Sequence, residues 1–313
     1  MTENKYMPEG NLVQTVENLA KMESLEALEA AMAEGAILEA VAIRANGASA
    51  LTVALGDFVG IMERDEVQLT FGEPVKDIAV ITRVGKPVCF KIIAIEPRKV
   101  GAPLIRLSRR AAQLECAERY LAGLSAGDVI PAKVTHLEQF GAFVDIGCGI
   151  VSLLSIDSIS VSRISHPSDR MQVGSEIRVA VRGIDRNDAE IPTRIYVTRR
   201  ELLGTWEENA ALFTIGQTVT GIVRSIEPYG VFVELTPNLA GLAEYRGDVS
   251  VGQCAAVYIK NIIPERMKIK LVIIDAYRGI PAGIPTPELT ESDHIDRWQY
   301  SPPECAKLVE TVF

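Results

Sequence analysis

The stretch Gln139-Phe140-Gly141-Ala142-Phe143-Val144-Asp145-Ile146 decides the fold of this chain, because a near copy of it returns 89 residues later. That copy is Pro228-Tyr229-Gly230-Val231-Phe232-Val233-Glu234-Leu235. A segment that recurs within a chain indicates a repeated structural module. The alternation of apolar and other side chains in both copies is typical of a β-strand.

Strand alternation sorts the side chains of each copy onto two faces. In the first copy an apolar row points one way, and Phe143 and Asp145 point the other way. In the second copy Phe232 and Glu234 share a face in the same manner. A ring beside a carboxylate predicts that this face is the more solvent-exposed side of the sheet.

A second ring, Phe140 or Tyr229, stands just before the glycine of each copy. Glycine permits a bulge or a close backbone approach, so both rings of a copy can reach one surface. An exposed aromatic pair on a small sheet is typical of surfaces that stack unpaired bases. The alternative is that the rings fill the core of a barrel.

Composition excludes several classes of protein. The 313 residues are 48% hydrophobic, which is enough for two or three ordered domains. Five scattered cysteines without a Cys-x-x-Cys pair, and only three histidines, argue against a disulfide scaffold and a zinc site. The sequence shows neither a signal-peptide pattern nor a run of about 18 apolar residues, so we expect a cytoplasmic protein without a membrane partner.

The net charge of −9 is unusual for a protein that binds nucleic acid, because phosphate contacts usually dominate affinity. Much of the acidic excess lies at the two ends of the chain. Residues 1–34 contain seven glutamates and two lysines, and residues 276–313 contain six acidic and three basic groups. Residues 127–204 and 216–275 are nearly neutral. Any electrostatic footprint is therefore a local patch, and we expect modest affinity for nucleic acid.

Predicted elements recur in the same order three times. Short alternating runs with glycines between them predict small closed barrels of five strands, and helical stretches join the barrels. We therefore predict an all-β fold with connecting helices, made of three tandem five-stranded barrels and an N-terminal helix. The predicted segments are a helical segment 1–34, a barrel 35–110, a helical linker 111–126, a barrel 127–199, a helical linker 200–215, a barrel 216–275 and a proline-rich tail 276–313.

The N-terminal segment and the tail need partners of their own. The apolar stripe of the helix at residues 11–34 is expected to dock on the first barrel, and a coiled-coil dimer is the alternative. The last residues of the tail are too apolar for a purely disordered segment. We expect them to fold back on a barrel or to bind another molecule.

The middle segment resembles the RNA-binding repeat of bacterial ribosomal protein S1, an OB-fold barrel of five strands. The residues that carry the resemblance are Gly127-Asp128-Val129, Phe140 to Asp145, Gly149 to Ile156, Ser162 to Pro167, Val173-Gly174, Ile184-Asp185, Arg194-Ile195 and Thr198. The third segment matches almost as well but lacks the Ser-His-Pro stretch, and the first is visible mainly by spacing, at a constant offset of 92 residues. The whole chain is similar to the three-repeat, ribosomal-protein-S1-like proteins of Gram-positive bacteria.

This resemblance implies an RNA face with two aromatic residues, a histidine, an aspartate and a basic residue. In the middle barrel the face would contain Phe140, Phe143, Asp185 and Arg194, with Ser155 in place of the histidine. In the third barrel it would contain Tyr229, Phe232 and Lys268, with Glu244 at the histidine position and Pro264 at the aspartate position. Asp185 is expected to orient Arg194.

The first barrel departs from the family pattern. Its residues at the two aromatic positions, the histidine position and the basic position are Ala48, Leu51, Glu63 and Leu104, so that only Glu96 agrees with the family. Because Leu51, Val53 and Leu55 would lie on the RNA face, we expect this face to be covered by protein, for example by the N-terminal helix.

Three basic residues of the first strands are weaker candidates for contacts with the RNA backbone: Lys133, His136 and Arg224. Ordinary solvated charges are the alternative interpretation of all three.

No phosphate-binding loop, nucleophile elbow or zinc-protease motif is present in the sequence, so we predict no catalysis and no cofactor or metal. The leading prediction is a non-catalytic protein that binds single-stranded RNA, in translation or mRNA handling. Its partners would be mRNA and the small ribosomal subunit, and no small-molecule substrate is expected. The alternative is an adaptor that docks on the ribosome, RNA polymerase or a ribonuclease with little affinity for RNA.

Overall fold

The structure is a computed structural model that describes residues 5–47, 50–279 and 288–313. It contains three closed five-stranded β-barrels, one after another along the chain, which confirms the predicted fold class. In each barrel the strands close in the same spatial order, which is first, second, third, fifth and fourth. The third and fifth strands pair in parallel, and the other neighbours pair antiparallel.

The N-terminal segment forms two helices, α1 (Val16–Ala20) and α2 (Leu25–Glu34), instead of the one helix predicted over residues 11–34. The break falls before Ser24, whose side chain accepts a hydrogen bond from the amide of Ala27 and so caps α2. Leu28 and Ala31 of α2 are buried in the core of the first barrel. The helices therefore dock on the first barrel, as their apolar stripe predicts.

The first barrel contains β1 (Leu38–Asn46), β2 (Ala50–Leu55), β3 (Phe58–Glu63), β4 (Pro87–Glu96) and β5 (Leu104–Ser108). A short helix, α3 (Asp77–Ile81), lies between β3 and β4 and was not predicted. Helix α4 (Arg109–Arg119) joins this barrel to the next one.

The middle barrel contains β6 (Val129–Glu138), β7 (Gly141–Asp145), β8 (Val151–Ser155), β9 (Glu176–Arg186) and β10 (Pro192–Thr198). Helix α5 (Trp206–Ala210) follows it. The third barrel contains β11 (Thr218–Glu227), β12 (Gly230–Thr236), β13 (Leu239–Ala243), β14 (Cys254–Ile263) and β15 (Lys268–Tyr277).

The tail folds back on the barrels and ends in a small hairpin of β16 (Arg297–Gln299) and β17 (Glu310–Val312). Trp298 and Tyr300 are buried in the core of the third barrel. The amide of Ile295 donates to the carbonyl of Gly127, at the start of the middle barrel. The tail therefore packs against both of the last two barrels.

A buried ion pair joins the N-terminal segment to the linker between the first two barrels. The Arg109 guanidinium donates to the Glu9 carboxylate at 2.6 Å and to the carbonyl of Gly149 at 3.1 Å. Burial alone would raise the pKa of Glu9, but the charge of Arg109 lowers it below its ordinary value. The segment around Glu9 is thereby held against both barrels.

The carboxylates of the two repeated strands lie in interfaces and not on a wet face. Asp145 is only 2% exposed and accepts a hydrogen bond of 2.7 Å from the amide of Glu9. Glu234 is 1% exposed and accepts hydrogen bonds from Arg170 and Arg224. The prediction that these carboxylates share a solvated face with the rings is wrong, because strand alternation fixes a side and not what covers it.

Within the described ranges, no helix has both the length and the apolar character needed to span a lipid bilayer.

Candidate nucleic-acid interface

One register level crosses all five strands of the middle barrel. Strand pairing places His136 opposite Phe143, Phe143 opposite Leu153, Leu153 opposite Tyr196 and Tyr196 opposite Gly183. We call these five residues the middle row. The side chains of His136, Leu153 and Tyr196 are exposed, and Phe143 is half-buried. The row therefore forms a continuous outer surface that carries three rings.

The predicted aromatic pair lies on this surface. Phe140 is 54% exposed, and its ring meets that of Phe143 edge-on, with 6.0 Å between the ring centroids. His136 stacks on the other side of the cluster, 6.3 Å from Phe143 with 26° between the ring planes. Neither phenylalanine belongs to the buried core of the barrel. The rings therefore present faces to solvent, which excludes the alternative that they fill the core.

An open groove of about 820 Å³ runs beside the rings. Its walls include Phe143, Leu153, Arg182, Arg194 and Tyr196, so it combines apolar surface with two guanidinium groups. Ser155 also lines the groove at the position where the family has a histidine, and its hydroxyl donates to the hydroxyl of Ser158 at 2.9 Å. The groove has the aromatic and cationic composition that single-strand binders use.

Asp185 holds a different partner from the one predicted. The Tyr196 hydroxyl donates to the Asp185 carboxylate at 2.8 Å. Strand pairing places Arg194 opposite Asp185, but no ion pair joins them in the part of the chain that the structure describes. The pKa of Arg194 is raised above its ordinary value, first by its hydrogen bond with Tyr196 and also by the charge of Asp185. Asp185 therefore acts on Arg194 through its charge, and the hydroxyl of Tyr196 takes one of its two carboxylate oxygens.

The third barrel has an equivalent row of five residues in the same register, formed by Ser225, Phe232, Leu242, Lys270 and Asn261. Tyr229 is 68% exposed and meets Phe232 edge-on at 6.2 Å. The predicted ring pair is therefore on this surface too.

The basic position of the third barrel also agrees with the prediction. Lys268 pairs with Ile263 as Arg194 pairs with Asp185. The register thus places Ile263, and not Pro264, at the aspartate position. The third barrel has two rings and the lysines Lys268 and Lys270, but it has no carboxylate equivalent to Asp185.

The equivalent row of the first barrel contains no ring. It consists of Arg44, Thr52, Ile61, Arg106 and Ala94. Arg106 forms ion pairs with Glu96 at 2.7 Å and with Glu63 at 3.4 Å, so carboxylates offset its charge. This row therefore offers no stacking surface, and the exposed Arg44 is its one cation without an ion pair among the described residues.

The expectation that the N-terminal helix covers Leu51, Val53 and Leu55 is wrong. These three side chains are fully buried inside the first barrel and do not lie on its outer face. Thr52, and not Leu51, occupies the position of Phe143. Ala48, the other residue assigned to an aromatic position, lies outside the described residues.

The three weaker basic candidates separate into two groups. His136 belongs to the middle row. Lys133 donates to the carbonyl of Glu9 and to the side chain of Asn11, both at 3.2 Å. Arg224 lies in ion pairs with Glu234 and Asp169. Lys133 and Arg224 therefore hold neighbouring segments of the protein, which favours a structural role for both over contacts with RNA.

Tyr196 is the site residue that the sequence reasoning missed, together with Leu153 and Arg182. It follows Arg194 by two positions on one strand, so alternation alone places both side chains on one face. That signal was present in the sequence. The family pattern includes only the basic residue that opens the strand and not the position of Tyr196.

Comparison with known proteins agrees with the fold. Residues 124–193 match the family model of the S1 RNA binding domain. The chain is 30% identical over 195 residues to small ribosomal subunit protein bS1 of Leuconostoc lactis, which is 61% of this chain and 43% of the relative. It is 30% identical over 215 residues to the small ribosomal subunit protein bS1 homolog of Bacillus subtilis, which is 66% of this chain and 54% of the relative. The predicted resemblance is thus confirmed.

The chain spans about half the length of these curated relatives, or less. Among solved structures, a multidomain protein with nucleic acid binding domains from Streptococcus pneumoniae aligns with 77% of this chain and 74% of its own. The sequence identity is 15% and the TM-score is 0.23.

Proposed function

We propose that this chain, which contains an S1 RNA-binding domain and is similar to small ribosomal subunit protein bS1, is a non-catalytic cytoplasmic protein that binds single-stranded RNA. It acts on mRNA, in translation or in mRNA handling, and the small ribosomal subunit is a candidate partner. The observation that carries the proposal is the solvent-facing cluster of Phe140, Phe143 and His136 beside a groove with two arginines.

The rings supply affinity that does not depend on net charge. Base–aromatic stacking contributes about 1 to 3 kcal/mol per base and tolerates any base, because every base has a π-face. Arg182 and Arg194 of the groove can contact phosphate and so follow the RNA backbone. A chain with a net charge of −9 can therefore bind RNA through a local platform.

The middle and third barrels are the working pair in this proposal. The third barrel repeats the edge-on ring pair with Tyr229 and Phe232, and Lys268 occupies the position of Arg194. The first barrel does not contribute, since Arg106 is paired with two carboxylates and no ring lies in its row.

The first barrel favours a second candidate function, that of an adaptor that docks on the ribosome, RNA polymerase or a ribonuclease. Its row has lost the features that bind RNA, yet the barrel is closed and well packed. An adaptor would bind RNA weakly even through the middle barrel. Salt separates the two candidates, because contacts with phosphate weaken steeply with added salt and an apolar protein interface does not.

The test is a titration of a fluorescent, unstructured RNA of about 15 nucleotides. The whole chain is compared with Phe140→Ala/Phe143→Ala at low and at physiological salt. We expect the double substitution to weaken binding at least about tenfold, because two stacking faces are lost. The matched control is Phe71→Ala, which removes a 47% exposed ring from the first barrel and should change nothing. The proposal would be rejected if the unaltered chain did not bind RNA at low salt, or if Phe140→Ala/Phe143→Ala bound RNA with the same affinity as the unaltered chain.

A further inference from the structure

Tyr196 distinguishes the middle barrel from its two neighbours. At the same register level the first barrel has Arg106 and the third has Lys270. Both of those side chains are cationic, whereas Tyr196 is a ring that is 42% exposed. The middle barrel therefore carries an additional flat surface that the other two lack.

The position of Tyr196 suits a base other than the one stacked on Phe143. Tyr196 is two strands away from Phe143, with Leu153 between them on the same row. Neighbouring strands lie about 4.8 Å apart, so the two rings belong to strands separated by roughly 10 Å. That spacing leaves room for two bases of an extended strand to stack separately. Both rings line the same groove.

Asp185 fixes the ring and adds a polar group beside it. One carboxylate oxygen accepts the hydrogen bond from the Tyr196 hydroxyl at 2.8 Å. The side chain is exposed, and its other oxygen, Oδ1, makes no hydrogen bond within the described part of the chain. The adjacent Arg194 supplies a positive charge that offsets the repulsion between this carboxylate and phosphate.

An ionised carboxylate only accepts hydrogen bonds. Cytosine and adenine each present an exocyclic amino group that donates, whereas uracil presents the O4 acceptor at the corresponding position. A base stacked on Tyr196 with its edge toward Asp185 is therefore stabilised when it carries an amino group. Uracil in the same position would face the carboxylate with a carbonyl oxygen.

We propose that Tyr196 is a third stacking surface of the middle barrel and that Asp185 Oδ1 accepts a hydrogen bond from the exocyclic amino group of the base on it. This pair, the Tyr196–Asp185 subsite, makes the protein prefer cytidine- and adenosine-containing single strands over uridine strands. The inference rests on the proposed RNA binding and adds a base preference to it.

The experiment compares fluorescent oligocytidine and oligouridine of about 15 nucleotides at pH near 7.5 with the full chain. These two RNAs differ at the base edge that the subsite would read. The variants are Tyr196→Ala, Tyr196→Phe and Asp185→Asn. The control is Tyr277→Ala, which removes a ring of the same 42% exposure from the end of the third barrel.

We expect the unaltered chain to bind oligocytidine at least about fivefold tighter than oligouridine, as one hydrogen bond to a charged group predicts. Asp185→Asn should bring that ratio close to one, because an amide can donate or accept. Tyr196→Ala should weaken binding of both RNAs at least about fivefold through lost stacking. Tyr196→Phe should keep the affinity for both RNAs, because the stacking face remains, and Tyr277→Ala should have no effect.

Equal affinity for the two RNAs, an unchanged ratio in Asp185→Asn or unchanged affinity in Tyr196→Ala would each overturn the inference. If Phe140→Ala/Phe143→Ala still abolished binding in that case, the proposed function would stand and only the subsite would fail. If the unaltered chain bound neither RNA, both would fail together. Tyr196→Phe and Asp185→Asn keep the shape of the side chains, so misfolding does not account for their result.

Discussion

Arg170 of the middle barrel donates a hydrogen bond of 2.6 Å to Glu234 of the third barrel, and both side chains are almost fully buried. Arg224 of the third barrel donates to the same carboxylate at 2.8 Å. Burial lowers the pKa of Arg170, while Glu234 acts in the opposite direction. The Glu234 carboxylate thus pairs with both guanidinium groups, Asp169 pairs with Arg224 as well, and the middle and third barrels are held in one arrangement.

Glu234→Ala should destabilise this interface by roughly 3 to 5 kcal/mol, because it leaves the buried Arg170 without its ion-pair partner, while Arg224 keeps Asp169. Calorimetric unfolding of the full chain should show the transition of the third barrel at a lower temperature. The matched control is Asp248→Ala, which breaks the exposed ion pair with Arg246 and should leave the transition temperature almost unchanged, because solvent screens that pair. Equal shifts for both variants would contradict the structural role of Glu234.

The buried carboxyl of Glu39 predicts an unusual dependence of stability on pH. Burial raises its pKa to about 7, and the nearby carboxylates of Glu9 and Asp145 act in the same direction. A carboxyl whose pKa is higher in the folded state stabilises the fold while it is protonated. This stabilisation is complete below the pKa of the unfolded chain, near 4.5, and is lost as pH rises through about 7.

We therefore expect the melting temperature of the unaltered chain to fall between pH 5 and pH 8, with a loss of roughly 3 kcal/mol at most from Glu39 itself. Glu39→Gln, which mimics the protonated side chain, should flatten this dependence. Glu9 has a lowered pKa, so its own contribution is lost at more acid pH and does not affect this range. Burial also raises the pKa of Asp145 to about 6, so this carboxyl adds a loss of the same sign, and the slope that remains in Glu39→Gln includes its share. Glu29→Gln, at an exposed helical position, is the control and should keep the slope. A slope that Glu39→Gln leaves unchanged would assign it to other groups.

The sequence predicted the three barrels and the ring pairs, but it misplaced one register. In the first barrel the turn between β1 and β2 is one residue longer than its counterpart: Ala45 pairs with Leu51, whereas Leu137 pairs with Ala142. Residues of the first and middle barrels differ by 92 positions both before and after β2. An alignment with that constant offset therefore gives no sign of the extra residue. Because side chains alternate, an error of one residue in the predicted register assigned the buried Leu51 to the outer face.

Contacts between barrels could not be predicted from the sequence, for a different reason. Alternation places Glu234 and Phe232 on the same side of β12. The loop that contains Arg170 covers that side only at the end where Glu234 lies. The partners are 64 residues apart in the chain, and no local pattern joins them. Tyr196 is the opposite case, since alternation from Arg194 was sufficient to place it on the site.

The tail is expected to stabilise the third barrel through Trp298. Its indole is 6% exposed in the barrel core, and the Arg200 guanidinium lies 5.9 Å from its ring centroid. Trp298→Ala should cost about 3 to 5 kcal/mol, as large-to-small changes in a core do. Limited proteolysis should then cleave the tail faster. Leu308→Ala removes a side chain that is 57% exposed and should leave the digestion rate unchanged.

Substitution of Arg194 should change the salt dependence of RNA binding as well as the affinity. Each phosphate contact on a single strand contributes about 0.7 to the slope of log K against log salt concentration. Arg194→Ala should therefore make the slope shallower by about that amount. The measurement is a set of titrations of a single RNA at four or more salt concentrations.

Arg98→Ala is the matched control for Arg194→Ala, because it removes an exposed arginine from the first barrel, which has no stacking surface. It should leave both slope and affinity unchanged. Loss of affinity with an unchanged slope in Arg194→Ala would mean that the guanidinium stacks on a base instead of pairing with phosphate. An unchanged slope and affinity would remove Arg194 from the interface, although the rings would still bind bases by stacking.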